Sequence, residues 1–115
     1  MTPKRSLKTG RTDRGIVTKK LIWNGITVEV AYEADWLNSS EGPLPVSHLA
    51  ISSVAPAKAP LPITETGYLS HFLAPGTVEE AGGAVAYVRA WLDDAANDPK
   101  WRRAEQARRQ LDLFG

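Results

Sequence analysis

Apolar and polar residues alternate through the first part of the chain in the two-residue period of strands. Residues 19–33, "KKLIWNGITVEVAYE", hold two β-rich runs on either side of Asn24-Gly25. Asn-Gly suits a two-residue type I′ turn, which needs positive φ at both positions. Such a turn pairs Trp23 with Ile26, Leu21 with Val28 and Lys20 with Glu29. Ile26, Val28, Val30 and Tyr32 then share one face of the hairpin, and Thr27, Glu29 and Glu33 share the other. Lys20 and Glu29 form an expected exposed cross-strand pair. The polar stretch 38–45, "NSSEGPLP", reads as a loop. A third strand is expected over 46–54, "VSHLAISSV". Three prolines in "APAKAPLP", 55–62, predict an extended, non-helical connector. A fourth strand is expected over 65–74, "ETGYLSHFLA", with Gly67 as a bulge or a point of close approach.

After Pro75-Gly76 the period lengthens. Val78, Ala81, Val85, Val88, Leu92 and Ala95 recur at alternating spacings of three and four, one stripe of a helix. Tyr87 and Trp91 lie beside it as an i,i+4 pair. Thr77 and Glu80 have the spacing of a capping box. Gly82-Gly83 inside this helix costs about 1 kcal/mol per glycine relative to alanine, which predicts another element, the sheet, coming close to the backbone there. Asp98 and Pro99 suit the N-cap and first position of a second helix. The order ββββαα predicts an α+β fold, an antiparallel four-stranded sheet with two C-terminal helices packed on one face.

Composition adds limits. A chain of 115 residues supports one core. Without cysteine, disulfides and thiolate metal sites are excluded. No apolar run approaches the length of a membrane span, and no secretory leader is evident, so a cytoplasmic protein without membrane contact is expected. The charge is unevenly placed. Residues 1–20 carry a net +6, residues 21–99 a net −8 and residues 100–109 a net +4. The basic ends make DNA a possible partner, through Lys4, Arg5, Lys8, Arg11 and Arg14 at one end and Arg108 and Arg109 at the other. Residues 1–15 lack apolar periodicity and read as a flexible basic arm, 16–109 as one domain and 110–115 as a separate C-terminal peptide.

Candidate enzyme chemistry is sparse. The two histidines, His48 and His71, fall on predicted strands. Ser70-His71 makes a poor dyad, because adjacent strand residues point to opposite faces. His71 shares its face with Leu69 and Leu73, the pattern of a core histidine. His48 and His71 have the placement to face each other across the third and fourth strands. With Glu65 they would make a weak metal set, without the spacing of a known motif. No phosphate-binding glycine loop is present. The expectation is a non-enzymatic protein with no cofactor and no metal. His48, Thr64, Glu65, Tyr68 and His71 mark a candidate groove, the alternative being a binding module with the C-terminal tail packed into the fold. The stretch "PLPITETGYLSHF" resembles small uncharacterised proteins of bacterial mobile elements.

The chain ends in "QLDLFG", 110–115. On a helical wheel Ala104, Ala107, Leu111 and Phe114 share a sector, while Leu113 falls on the opposite side. One helix cannot bury both Leu113 and Phe114 against one surface. The helix is therefore expected to end near 109–111, with the last residues extended or disordered. Gln110-Leu111-Asp112-Leu113-Phe114 resembles the pentapeptide by which bacterial replication and repair proteins bind the β sliding clamp, Gln-Leu-Ser/Asp-Leu-Phe, at all five positions. The resemblance implies the clamp as partner, with the glutamine hydrogen-bonded at one end of a groove and the last two apolar residues in a pocket. It implies an accessory role in DNA replication or repair, either recruiting to the clamp or blocking it.

Overall fold

The computed structural model describes residues 15–36 and 45–114, with side chains through Leu111. Four strands, β1 (Ile16–Trp23), β2 (Ile26–Glu33), β3 (Ser47–Ala55) and β4 (Tyr68–Leu73), form one antiparallel sheet in chain order. Three helices follow: α1 (Thr77–Glu80), α2 (Ala84–Ala95) and α3 (Pro99–Phe114). The fold is α+β, with α1 and α2 on one face of the sheet.

The hairpin register is the one read from Asn24-Gly25. Asn24 has φ 52° and Gly25 φ 78°. Trp23 pairs with Ile26, Leu21 with Val28 and Lys20 with Glu29. The inward set Leu21, Trp23, Val28 and Val30 meets Leu49 and Ile51 from β3 and Val88 and Leu92 from α2. Each fully buried aliphatic side chain contributes roughly 1.5–3 kcal/mol. Tyr32, on the same face, donates its hydroxyl to Glu79 Oε2 at 2.8 Å. Burial and this carboxylate raise the phenol's pKa above its ordinary value. Trp23 Nε1 donates to Asp93 Oδ1 at 2.9 Å, tying the end of β1 to α2.

Several expectations are corrected. The Pro-rich segment is a set of tight turns instead of an extended connector. Ala55-Pro56 is cis, Lys58 has φ 62°, and Leu61 bridges Thr64. Ser53 receives it, donating its hydroxyl to the carbonyl of Ala59 at 2.7 Å, and Leu61 is buried in the core. Burial of Leu61 overrides the extended preference of its flanking prolines. Gly67 is a point of close approach, as expected. It has φ +80°, and a Cβ there would lie 2.7 Å from the Lys58 backbone carbonyl carbon. The fourth strand begins only at Tyr68 because the chain is still turning at Gly67.

The first long helix is broken. Ala81–Gly83 separate α1 from α2, and Gly82 and Gly83 have φ +99° and +113°. A Cβ on Gly83 would meet nothing within 4 Å, so the glycines serve a left-handed corner and not a close approach. The Thr77–Glu80 capping box does not form. Gly76 is the N-cap without a side-chain cap, and Thr77 sends its hydroxyl back to the carbonyl of Ala74. The Asp98 cap does form: Lys100 N–H donates to Asp98 Oδ1 at 3.0 Å.

α3 continues to Phe114 instead of ending near 109–111. Ala104, Ala107 and Leu111 are exposed, so the stripe read as buried faces solvent. The wheel argument assumed a surface to bury against. Without one, Arg109, Gln110 and Leu111, past the contacts of Glu105 and Arg108, extend the helix on propensity.

Candidate functional site

α3 is seated by one side of its first three turns. Trp101 lies beside Trp23, with ring centroids 6.3 Å apart, and the Arg108 guanidinium sits 4.8 Å over the Trp101 ring. Asn24 Nδ2 donates to Glu105 Oε2, which also pairs with Arg109 at 3.5 Å. Beyond Arg108 the helix leaves the body. Gln110 is exposed and Leu111 is 69% exposed. The backbone of Asp112, Leu113 and Phe114 completes the helix, and their side chains lie outside the described residues.

Two clefts flank Trp101. A polar one of about 580 Å³ is lined by Asn24, Arg89, Asp93, Asn97, Arg102 and Glu105 together with Trp23 and Trp101. The second, about 700 Å³, runs between the proline turns at Pro60–Glu65 and the α3 residues Trp101, Ala104 and Arg108.

The candidate groove residues do not form one groove. Thr64 and Glu65 line the second cleft. His71 points to the helix side and packs on Trp91 at 4.6 Å. His48 and Tyr68 lie on the opposite, open face. His48 pairs across the ladder with Phe72, whereas His71 pairs with Leu49, so the histidines face opposite sides of the sheet. Their predicted convergence fails, because a one-residue step along a strand reverses the side. The metal set fails with it. Among the described residues no group of three or more His, Asp and Glu could hold a metal ion.

The open face carries a cluster that sequence spacing did not reveal. His48 Nε2 lies 2.7 Å from Ser70 Oγ. Phe72 stacks 4.6 Å from His48 and meets Trp36 edge-on at 4.8 Å. Glu33, buried, faces His48 from β2. Burial lowers the His48 pKa from its ordinary value, with Glu33 opposing and His71 reinforcing the shift. The Ser70–His48 pair joins residues 22 apart in sequence, legible only once the β3–β4 register is known. It lies outside both clefts.

No described helix is long and apolar enough to cross a membrane. Lys4, Arg5, Lys8, Arg11 and Arg14, like most of the 38–45 loop, lie outside the described residues.

A family model for the KlcB third domain matches residues 16–101. The chain belongs to the KlcB third-domain family. No curated protein and no solved structure matches it. Membership is consistent with a protein associated with mobile elements. The KlcB third-domain match opens at the first residue of β1 and closes at Trp101, the residue that seats α3. It spans the sheet, α1 and α2. The basic residues before β1 and the "QLDLF" segment lie outside it.

Proposed function

We propose that this KlcB third-domain protein is a small accessory factor of DNA replication or repair in a mobile-element setting, held at the β sliding clamp by Gln110, Leu111, Asp112, Leu113 and Phe114. The exposure of Leu111 on a helix that has left the body carries the reading. A segment packed as core would not be offered to a partner.

Successive helical positions lie about 100° apart, so Leu113 and Phe114 cannot enter one pocket while helical. Binding therefore unwinds the last turn of α3. The carbonyls of that turn lack intrahelical partners, so it opens at little cost. Burying Leu113 and Phe114 contributes roughly 1.5–3 kcal/mol each. After the cost of ordering the tail, a micromolar Kd, about −8 kcal/mol, is the expected ceiling. The test is calorimetry with a purified bacterial clamp, using the full chain and a version lacking 110–115. Micromolar binding that disappears with the tail supports the proposal. No binding by the full chain refutes it. Primer extension with added protein then separates recruitment from blockage.

A further inference from the structure

We infer that Ser70 is a nucleophile, with His48 as its general base and Glu33 positioning the imidazole, acting on uncharged, activated acyl groups such as aryl esters and thioesters. This inference is independent of the clamp reading and uses none of residues 110–114.

Three neighbouring strands supply the three groups. His48 stands on β3, with Glu33 directly across from it on β2 and Ser70 on β4. The Ser70 Oγ lies 2.7 Å from His48 Nε2, within reach for proton transfer. The imidazole is held in that pose, because Phe72 lies 4.6 Å from it and Trp36 6.0 Å. An imidazole that accepts at Nε2 carries its proton on Nδ1, a tautomer that a carboxylate on its far side favours. Glu33 is that carboxylate. Burial lowers the His48 pKa, which keeps the ring neutral and able to take a proton.

The edge of the sheet supplies a donor. β4 is the last strand in the order. Ser53 N–H donates to the carbonyl of Gly67 at 2.7 Å, which fixes the phase of the ladder. Leu69, His71 and Leu73 therefore bond to β3, and Tyr68, Ser70 and Phe72 turn their backbone groups outward. The Tyr68 carbonyl accepts from Thr64 and Thr66 at that edge, as this phase requires. The Ser70 N–H points the same way, beside its own Oγ. It is placed to donate to the oxygen that becomes negative when Oγ adds to a carbonyl.

The surroundings select the substrate. On this face β3 and β4 carry His48, Ala50, Ser52, Val54, Tyr68, Ser70 and Phe72, with no Lys, Arg, Asp or Glu. Tyr68 and Phe72 flank the exposed Ser70 and are about half exposed themselves, a shelf for an apolar acyl or aryl group. A single backbone donor stabilises an oxyanion less than a pair does, so the leaving group must depart with little help. Oγ attacks the acyl carbon and its proton passes to His48 Nε2. The bond to the leaving oxygen or sulfur breaks, and that proton goes to the leaving group. Water, deprotonated by His48, then releases the acid and restores Ser70.

The experiment treats the full chain with a fluorophosphonate, which phosphonylates a serine Oγ with loss of fluoride, and locates the adduct by mass spectrometry. The adduct should form on Ser70, and more slowly by at least about ten-fold in His48→Gln. Thermal melts show that each variant remains folded. The titratable groups acting on His48 are Glu33 from β2 and His71 from β4. Glu33 raises its pKa, so in Glu33→Gln the labelling should persist to lower pH. An unmoved profile would remove Glu33 from the mechanism. A para-nitrophenyl ester then tests acyl transfer: nitrophenolate release should disappear in Ser70→Ala. No adduct on Ser70, equal labelling in folded His48→Gln or in the urea-unfolded chain, or full ester cleavage by Ser70→Ala would each overturn the inference.

Discussion

α2 and α3 are both amphipathic by sequence, yet they acquire order differently. α2 lays Val88 and Leu92 on the sheet, and Asp93 takes the Trp23 indole N–H. α3 rests on Trp101, with Glu105 and Arg108 beside it, and then continues into solvent. Apolar spacing alone does not tell a packed helix from a presented one. The difference lies in side-chain volume: the α2 stripe is built of Val and Leu, whereas that of α3 starts with two alanines, too short to reach a neighbouring surface.

The sharpest way to break this comparison is to truncate a residue on each side. Leu92→Ala should cost about 2–5 kcal/mol, lowering Tm by roughly ten degrees or more in a domain of this size. Leu111→Ala should move Tm by no more than the scatter of a surface change, within about 0.5 kcal/mol. Comparable losses in thermal melts would mean that α3 is packed after all. Next comes Gly67→Ala, which places a Cβ against the Lys58 backbone in a left-handed conformation, with an expected loss of about 1–3 kcal/mol by urea denaturation. Trp101→Ala should cost roughly half of the ~3–5 kcal/mol of a fully buried tryptophan. It should also speed amide hydrogen exchange throughout α3 while leaving β2 and β3 protected. Exchange that stays slow in α3 would show a second anchor.

The smallest effect is in the pH dependence. Burial lowers the His48 pKa in the folded chain, so the unfolded chain takes up the proton first as pH falls below about 6.5. The stability linked to His48 is therefore full above that pH and declines below it toward the folded pKa. Urea midpoints near neutrality and in mild acid should differ less in His48→Gln than in the parent. An equal difference would mean that other groups carry the dependence.

Local rules served well where one interaction dominated. The Asn24-Gly25 turn set the register, and Asp98-Pro99 set the start of α3. They failed where two signals met. Gly82-Gly83 suggested a close approach within a helix, but the chain used them to turn. The prolines of 55–62 suggested extension, but Leu61 was drawn into the core. The site was less legible than the fold, because His48, Ser70 and Phe72 meet only through the pairing of β3 with β4, and Trp36 joins them from the segment after β2. A single register step sends His71 to the other side.

The strands lie in the sheet in the order in which they are made. Each pairs with its neighbour in sequence, so the sheet grows by successive connections between adjacent strands without waiting for the helices. The long-range step is closure of α2, which joins Trp23 to Asp93 across 70 positions. Loop-closure entropy is paid late and mostly once. The chain should fold by rapid sheet formation followed by capture of one helix, and α3 can trail from the growing domain without delaying either event.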